Sequence, residues 1–140
     1  MQGEIAVLLV YDQAEPLAAL RLLLESQSFK TSRSRNCQET SRELQQPDPP
    51  LVVFTDTTLP DGTWREVVAL AAKATAPVSV IVVGRLVDVP FYIEVIESGA
   101  VDFVAPPFAP FDLNHVTRCA AQNALDRRQG LTGAKEETAF

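Results

Sequence analysis

Two aspartates follow separate apolar runs of the chain and are candidates to act together at one site. Asp12 comes shortly after the run over residues 5–10, and Asp56 comes shortly after the run over residues 51–54. Carboxylate oxygens without a nearby His or Cys suit a hard divalent cation such as Mg²⁺, which takes one or two carboxylates and keeps several waters. If both runs are parallel strands, their carboxyl ends meet at one edge of the sheet, and the residues there form the ligand crevice.

The segments that follow the other apolar runs complete the set of candidate site residues. The loop over residues 55–62 reads TDTTLPDG, the run over residues 78–83 is followed by Gly84 and Arg85, and the last run is followed by Pro106. No glycine-rich phosphate loop of the Walker or dinucleotide type follows any strand. No Ser–His–Asp or Cys–His set gathers there either, which argues against a small-molecule enzyme of this architecture.

The elements that must position these residues are short apolar runs alternating with helical patterns. Runs rich in β-branched residues without polar alternation are typical of parallel strands covered on both faces. The predicted strands cover residues 5–10, 29–34, 51–54, 78–83 and 102–105. The predicted helices begin at Leu17, cover residues 36–46 and 63–74, begin near Pro90, and cover residues 112–127. This alternation predicts an α/β fold, a doubly wound five-stranded parallel sheet flanked by five helices.

Two helices carry more specific expectations. Asp88 is expected to cap the fourth helix, with Ile93 and Ile96 as its buried positions. In the last helix Leu113 starts the inner face, and the basic pair at residues 127–128 is expected to complement the C-terminal dipole.

Length and composition limit the classes of function. The chain has 140 residues, with 46% apolar and 21% charged residues, which is typical of one globular domain. Its net charge of −6 disfavours direct binding to nucleic acid or to a membrane surface. No apolar run reaches the roughly 18–20 residues of a membrane span, and no secretion signal is evident. Cys37 and Cys119 are expected to be inert, reduced thiols. We therefore expect a cytoplasmic domain over residues 1–128, with residues 129–140 as a flexible tail or a linker to a missing output domain.

The stretch from residue 5 to about residue 128 resembles the receiver domain of response regulators in two-component signalling, the chemotaxis-regulator-like type. The resemblance is carried by the strand ending in VYDQ, by the TDTTLPDG loop, and by ESGAVDFVAPPF, which is similar to the family pattern gly-ala-x-asp-phe-leu-x-lys-pro-phe. It implies a flavodoxin-like fold with strand order 2-1-3-4-5. It also implies that Asp56 is the phosphoacceptor position for a histidine kinase, and that Asp12, Asp56 and the Thr58 carbonyl hold Mg²⁺.

Four positions depart from the family pattern and predict a degenerate site. Tyr11 replaces the first of two adjacent acids, Gly84 replaces a Ser or Thr, Pro106 replaces the lysine, and Phe103 keeps the ring of the switch aromatic without a phenol. Each lost charge-assisted hydrogen bond is worth about 1.5–3 kcal/mol. Loss of two such contacts would weaken phosphoryl acceptance by roughly two to four decades. One hypothesis is that Arg85 places its guanidinium where these contacts to the phosphoryl group are missing.

These observations leave two functional hypotheses. In the first, the domain receives a phosphoryl group on Asp56 and is not a free-standing enzyme. It signals through a contact face formed by the fourth helix, fifth strand and fifth helix, which binds an output domain, a partner protein or a second copy. In the second, it is a pseudo-receiver that binds partners constitutively, and Asp56 only caps its loop while Asp12 caps the first helix. Four aromatic residues form either an exposed contact patch or ordinary core: Phe91, Tyr92, Phe108 and Phe111.

Overall fold

The computed structural model describes residues 4–137, and it describes side chains for residues 4–130. Its main sheet has five parallel strands in the order β2-β1-β3-β4-β5. The strands are β1 (Ala6–Val10), β2 (Lys30–Ser34), β3 (Val52–Asp56), β4 (Ser79–Val83) and β5 (Asp102–Val104). The helices are α1 (Leu17–Ser26), α2 (Cys37–Leu44), α3 (Trp64–Ala72), α4 (Val89–Glu97) and α5 (Pro110–Glu137). The predicted fold class and strand order are confirmed.

The sheet is covered on both faces because its central strands are apolar on both faces. In β1, Val7 and Leu9 pack into the cluster that α1 and α5 cover, whereas Leu8 and Val10 pack into the cluster that α2, α3 and α4 cover. Successive side chains of a strand point to opposite faces, so a continuous apolar run fills two cores at once. All five residues of β3 and of β4 are buried for this reason.

The strand order places the predicted crevice beside β3. From β1 the chain crosses to β2 on one side and then returns to β3 on the other, and β1 pairs in parallel with both. This reversal is the topological switch point, where the carboxyl ends of neighbouring strands leave a gap for ligands. Val10 and Thr55 are register partners, so Asp12, which comes just after β1, and Asp56, the last residue of β3, lie at adjacent strand ends.

A small hairpin that the sequence pattern did not predict follows β3. Its two-residue strands, Thr58–Leu59 and Gly62–Thr63, pair antiparallel. At its tip, the carboxylate of Asp61 accepts hydrogen bonds from the backbone N–H groups of Cys37 (2.7 Å) and Gln38 (3.1 Å). These are first-turn donors of α2, which otherwise lack a partner, and a negative charge is favourable at a helix N-terminus. Asp61 therefore fixes the hairpin against α2.

The buried face of α4 differs from the prediction. The Asp88 side chain caps the helix as expected, accepting from the Phe91 N–H at 3.1 Å. The prediction that Ile93 and Ile96 are buried is wrong, since they are 49% and 36% exposed, and Val95 is the buried residue instead. Because α4 is apolar nearly all round, periodicity alone does not single out one face.

The four aromatic residues divide between the two alternatives, an exposed patch and ordinary core. Tyr92 and Phe111 are exposed, at 42% and 80%. Phe91 and Phe108 are partly buried and pack against the two core clusters. The exposed apolar surface lies instead along the stretch that runs from the end of β4 through α4.

The last helix is longer than predicted. It continues to Glu137 and does not end at residue 127 as predicted, and residues 138–140 lie outside the described residues. That residues 129–140 form a tail or a linker to an output domain stays a prediction. A glycine inside a helix costs only about 1 kcal/mol relative to alanine, so Gly130 does not end it. Arg127 and Arg128 are consequently not at the C-terminus. They donate to the carbonyls of Val78 (3.0 Å) and Pro77 (2.8 Å), beside the start of β4.

Neither described cysteine forms a disulfide, and the two have different surroundings. Cys37 is partly buried and Cys119 is exposed. Burial, reinforced by the neighbouring carboxylate of Asp61, raises the pKa of Cys37 to about 12, which keeps it a thiol at neutral pH.

Among the described helices, none has the length and apolar character needed to cross a bilayer.

The contact between Asp61 and α2 predicts a pH dependence of stability. The backbone hydrogen bond from Cys37 lowers the pKa of Asp61 below its ordinary value. A carboxyl whose pKa is lower in the folded state stabilises the fold above the unfolded value of about 3.9, and this contribution disappears as the pH falls through the folded value. The free energy of unfolding in urea should therefore be lower for Asp61→Asn than for the wild type at pH 7, and the two should converge as the pH falls below about 3.9.

The matched control is Glu43→Gln, at an exposed carboxylate on the same helix. Its unfolding free energy should follow the wild type at both pH values. An equal difference between Asp61→Asn and the wild type at pH 7 and at the acid end would contradict this role of Asp61.

Candidate functional site

Asp56 is the last residue of β3 and is only 2% exposed. Its Oδ1 atom accepts two hydrogen bonds, one from the backbone N–H of Thr57 at 2.7 Å and one from Arg85 Nη1 at 2.6 Å. Its Oδ2 atom receives only a long contact of 3.4 Å from Arg85 Nη2. The carboxylate is thus held by one oxygen, and the other is nearly unoccupied.

A hollow of about 480 Å³ lies over this carboxylate at the carboxyl edge of the sheet. Its lining residues come from the segments after β1, β3 and β4: Asp12, Gln13, Asp56, Thr57, Thr58, Leu59, Pro60 and Arg85. The structure therefore brings together Asp12, Asp56, Thr58 and Arg85, as their places after the strands predicted.

Arg85 lies on the loop after β4 and reaches Asp56 with its guanidinium. Its side chain is 50% exposed, whereas that of Asp56 is 2% exposed. The hydrogen bond to Asp56 raises the pKa of Arg85 above its ordinary value, so the group is a permanent cation at the site. Another contact of this guanidinium is a long one, 3.5 Å from Nη2 to the carbonyl oxygen of Glu15.

Tyr11, in the position of the first acid of the family pattern, faces the core and not the hollow. It is 4% exposed and belongs to the cluster covered by α1 and α5. The guanidinium of Arg33 lies over its ring at 4.0 Å and donates to the backbone carbonyls of Tyr11 and Asp12. The replacement therefore removes a carboxylate from the site, while Arg33 holds the backbone that carries Asp12.

The Phe103 ring packs so closely against Gly84 that it leaves no room for a side chain at position 84. A Cβ atom on Gly84 would lie 2.5 Å from Cζ and 2.7 Å from Cε1 of Phe103, so the ring fills the space that a Ser or Thr side chain would occupy. Phe103 also packs edge-to-face against Phe91, with ring centroids 5.4 Å apart. Phe91 in turn packs against the buried Trp64 at 5.7 Å. The aromatic ring is held inward by packing alone.

Pro106 stands in the lysine position, and it is not one of the described residues that line the hollow. Its peptide bond to Pro107 is cis. A proline supplies neither a charge nor an N–H group, so this segment contributes no donor at that position.

The oxygen groups of the hollow fit a magnesium ion, with fewer charges than the family pattern provides. The carboxylates of Asp12 and Asp56 and the carbonyl group of Thr58 belong to residues that line the same hollow. Among the described residues no group of three or more His, Cys, Asp or Glu side chains is placed to hold a metal. Mg²⁺ is ordinarily held by one or two carboxylates and several waters, so the two carboxylates of this hollow match the usual ligand set of the ion.

One contact of the site was not predicted from the sequence. The backbone N–H of Thr57 donates to Asp56 at 2.7 Å. Every residue except proline carries such a donor, so no residue type at position 57 signals this contact.

Comparison with known proteins identifies one family. The model of the response regulator receiver domain matches residues 7–118. No curated protein sequence matches the chain.

Solved structures with the same fold include several receivers of low sequence identity. A response regulator from Chloroflexus aurantiacus is 19% identical with a TM-score of 0.77, and the match covers 86% of this chain and 99% of that one. The receiver domain of the sensor histidine kinase PA1611 from Pseudomonas aeruginosa, with a magnesium ion coordinated in its active-site cleft, is 15% identical with a TM-score of 0.73, covering 86% and 99%. The beryllofluoride-activated NtrC4 receiver domain dimer is 21% identical with a TM-score of 0.72, covering 85% and 98%.

The close packing of Gly84 and Phe103 predicts energetic coupling between them. Gly84→Ala must displace the Phe103 ring, and overpacking of this kind costs about 1–3 kcal/mol. In a Phe103→Leu background, which lacks the two clashing ring atoms, the same substitution should cost clearly less. A double-mutant cycle of urea unfolding free energies measures the difference.

The control is Gly130→Ala, because a Cβ atom there meets nothing within 4 Å. It should be neutral or stabilising by up to about 1 kcal/mol, as expected for alanine replacing glycine in a helix. Additive effects of Gly84→Ala and Phe103→Leu would contradict the packing described here.

Proposed function

The chain belongs to the response-regulator receiver family of phosphorelay signalling, and from that premise we propose that Asp56 is its phosphoacceptor. An oxygen of the Asp56 carboxylate attacks the phosphorus of a phosphodonor such as a histidine kinase. The bond between phosphorus and the donor atom breaks, the donor keeps the electron pair, and an aspartyl phosphate forms. The proposal includes the cytoplasmic location predicted from the sequence, and it treats the chain as a signalling module and not as a free-standing enzyme.

The observation that carries this proposal is the state of the Asp56 carboxylate. It lies at the base of the hollow, fixed through Oδ1, while Oδ2 has only a 3.4 Å contact. Phosphoryl transfer depends mainly on positioning and on neutralising the charge of the equatorial oxygens. The carboxylate is held through one oxygen, and Arg85, which lines the same hollow, supplies a positive charge beside the other oxygen, so the arrangement meets both requirements.

We propose that Asp12, Asp56 and Thr58 hold Mg²⁺ during this reaction. The ion would supply positive charge to the transferred phosphoryl group. The chain's own contribution is to fix these residues: Arg33 holds the carbonyls of Tyr11 and Asp12, and β3 fixes Asp56. With one carboxylate fewer than the family pattern, the affinity for the ion should be reduced.

The proposed output is contact with a partner protein or output domain through the face formed by α4, β5 and α5. Exposed apolar side chains are concentrated on α4 and the loop before it: Leu86, Val87, Val89, Tyr92, Ile93 and Ile96. Contiguous apolar surface on a water-exposed face is characteristic of protein contact sites. A second copy of the chain is one partner that such a face would accept.

A second candidate function is the constitutive pseudo-receiver, and one observation favours it. The Phe103 ring is held against Gly84 without any hydroxyl group. A modification biases two conformations only through contacts that differ between them. If the ring has a single position, phosphorylation of Asp56 would not alter this face, and the partner would bind in both states.

Incubation with acetyl phosphate and Mg²⁺ followed by intact-mass measurement tests the phosphoacceptor assignment. The wild type should gain the mass of one phosphoryl group, and Asp56→Asn should gain none, because a neutral amide replaces the nucleophilic carboxylate. Asp12→Asn should gain it more slowly. Asp126→Asn, on the exposed face of α5, is the control and should behave as the wild type.

Two results would contradict the assignment. One is a folded wild type that remains unmodified at saturating acetyl phosphate. The other is an Asp56→Asn variant that gains the same mass.

A further inference from the structure

We propose that Arg85 binds the phosphoryl group once it is on Asp56, serving where the family pattern has a lysine and this chain has Pro106. The inference rests on the proposed function of Asp56. It concerns a residue on a different loop, after β4 and not after β5. The residue that follows Gly84 in sequence thus becomes the positive charge of the site.

The geometry of the guanidinium supports this role. Its two terminal nitrogens face the two carboxylate oxygens, Nη1 to Oδ1 at 2.6 Å and Nη2 to Oδ2 at 3.4 Å. The planar fork of arginine matches carboxylate and phosphate oxygens equally well, and its charge does not titrate in proteins. A phosphoryl group formed on Oδ2 would therefore carry its oxygens into the reach of Nη2, which already points there.

The freedom of the side chain supports a transfer of contacts from carboxylate to phosphoryl oxygen. The Arg85 side chain is 50% exposed, and its contact with the Glu15 carbonyl is long at 3.5 Å. By contrast, Arg33 makes three hydrogen bonds of 3.1–3.2 Å to backbone carbonyls and stacks on the Tyr11 ring. Arg33 is fixed in place, whereas Arg85 can move with the anion that it pairs with.

The same contact has a consequence before any transfer. Arg85 and Mg²⁺ are both positive and both bind the Asp56 carboxylate, so each weakens the binding of the other. A variant without the guanidinium should hold the ion more tightly while it accepts the phosphoryl group more slowly. Tighter Mg²⁺ binding together with slower phosphoryl acceptance therefore distinguishes a phosphoryl-binding role of Arg85 from an indirect effect through loss of the metal.

The test compares the wild type with Arg85→Gln, Arg85→Lys and the exposed control Arg42→Gln. Initial rates of modification by acetyl phosphate are measured by intact mass, and Mg²⁺ affinity is measured from the rise in Tm with Mg²⁺ concentration. Arg85→Gln should be modified about 10- to 100-fold more slowly, the equivalent of one charge-assisted hydrogen bond. Arg85→Lys should recover part of the rate, Arg85→Gln should bind Mg²⁺ more tightly than the wild type, and Arg42→Gln should match the wild type in both measurements.

Each other outcome has a distinct meaning. Equal rates for the wild type and Arg85→Gln would overturn this inference and leave the phosphoacceptor assignment standing. A slower Arg85→Gln that binds Mg²⁺ more weakly would also overturn it, because loss of the ion would explain the rate. A wild type that takes up no phosphoryl group would remove the proposed function, and this inference with it.

Discussion

A buried carboxylate must have its charge compensated, and the whole site is organised around that requirement at Asp56. The side chain is 2% exposed at the end of a fully buried central strand. Removing an ion from water costs several kcal/mol even after relaxation, so such a group is kept charged only by donors and counter-ions. Here one backbone N–H and one guanidinium supply them. The loop after β4 must therefore hold its arginine within reach of β3, and the strand order makes that possible because β3 and β4 are neighbours.

The departures from the receiver pattern are compensated differently at each position. Tyr11 becomes part of the core and is stacked by Arg33. The space left by the missing side chain at Gly84 is filled by the ring of Phe103. In both places an aromatic ring packs against the core, which explains how the fold persists with so altered a site. The positive charge that the lysine position lacks is present on Arg85, from another strand end.

The sequence predicted the sheet, its helices and the meeting of Asp12 with Asp56. Short, continuous apolar runs indicate strands that are buried on both faces, and the carboxyl ends of parallel strands share one edge. The strand order came from the resemblance to receivers and not from periodicity. The buried face of α4 was mispredicted because a helix that is apolar nearly all round has no preferred side. The end of α5 was misplaced because glycine weakens a helix without stopping it. The sequence placed Arg85 near Asp56 only as a hypothesis, because the loop after β4 could direct the side chain elsewhere, and the structure supplies the contact itself.

The most direct measurement is a crystal structure of the protein with Mg²⁺ and beryllofluoride, a mimic of the phosphoryl group on a carboxylate. We expect the mimic on the Asp56 carboxylate, with the Arg85 guanidinium within hydrogen-bond distance of its fluorine atoms. A mimic bound to Asp56 with Arg85 turned away into solvent would show that Arg85 is not the positive charge that binds the phosphoryl group.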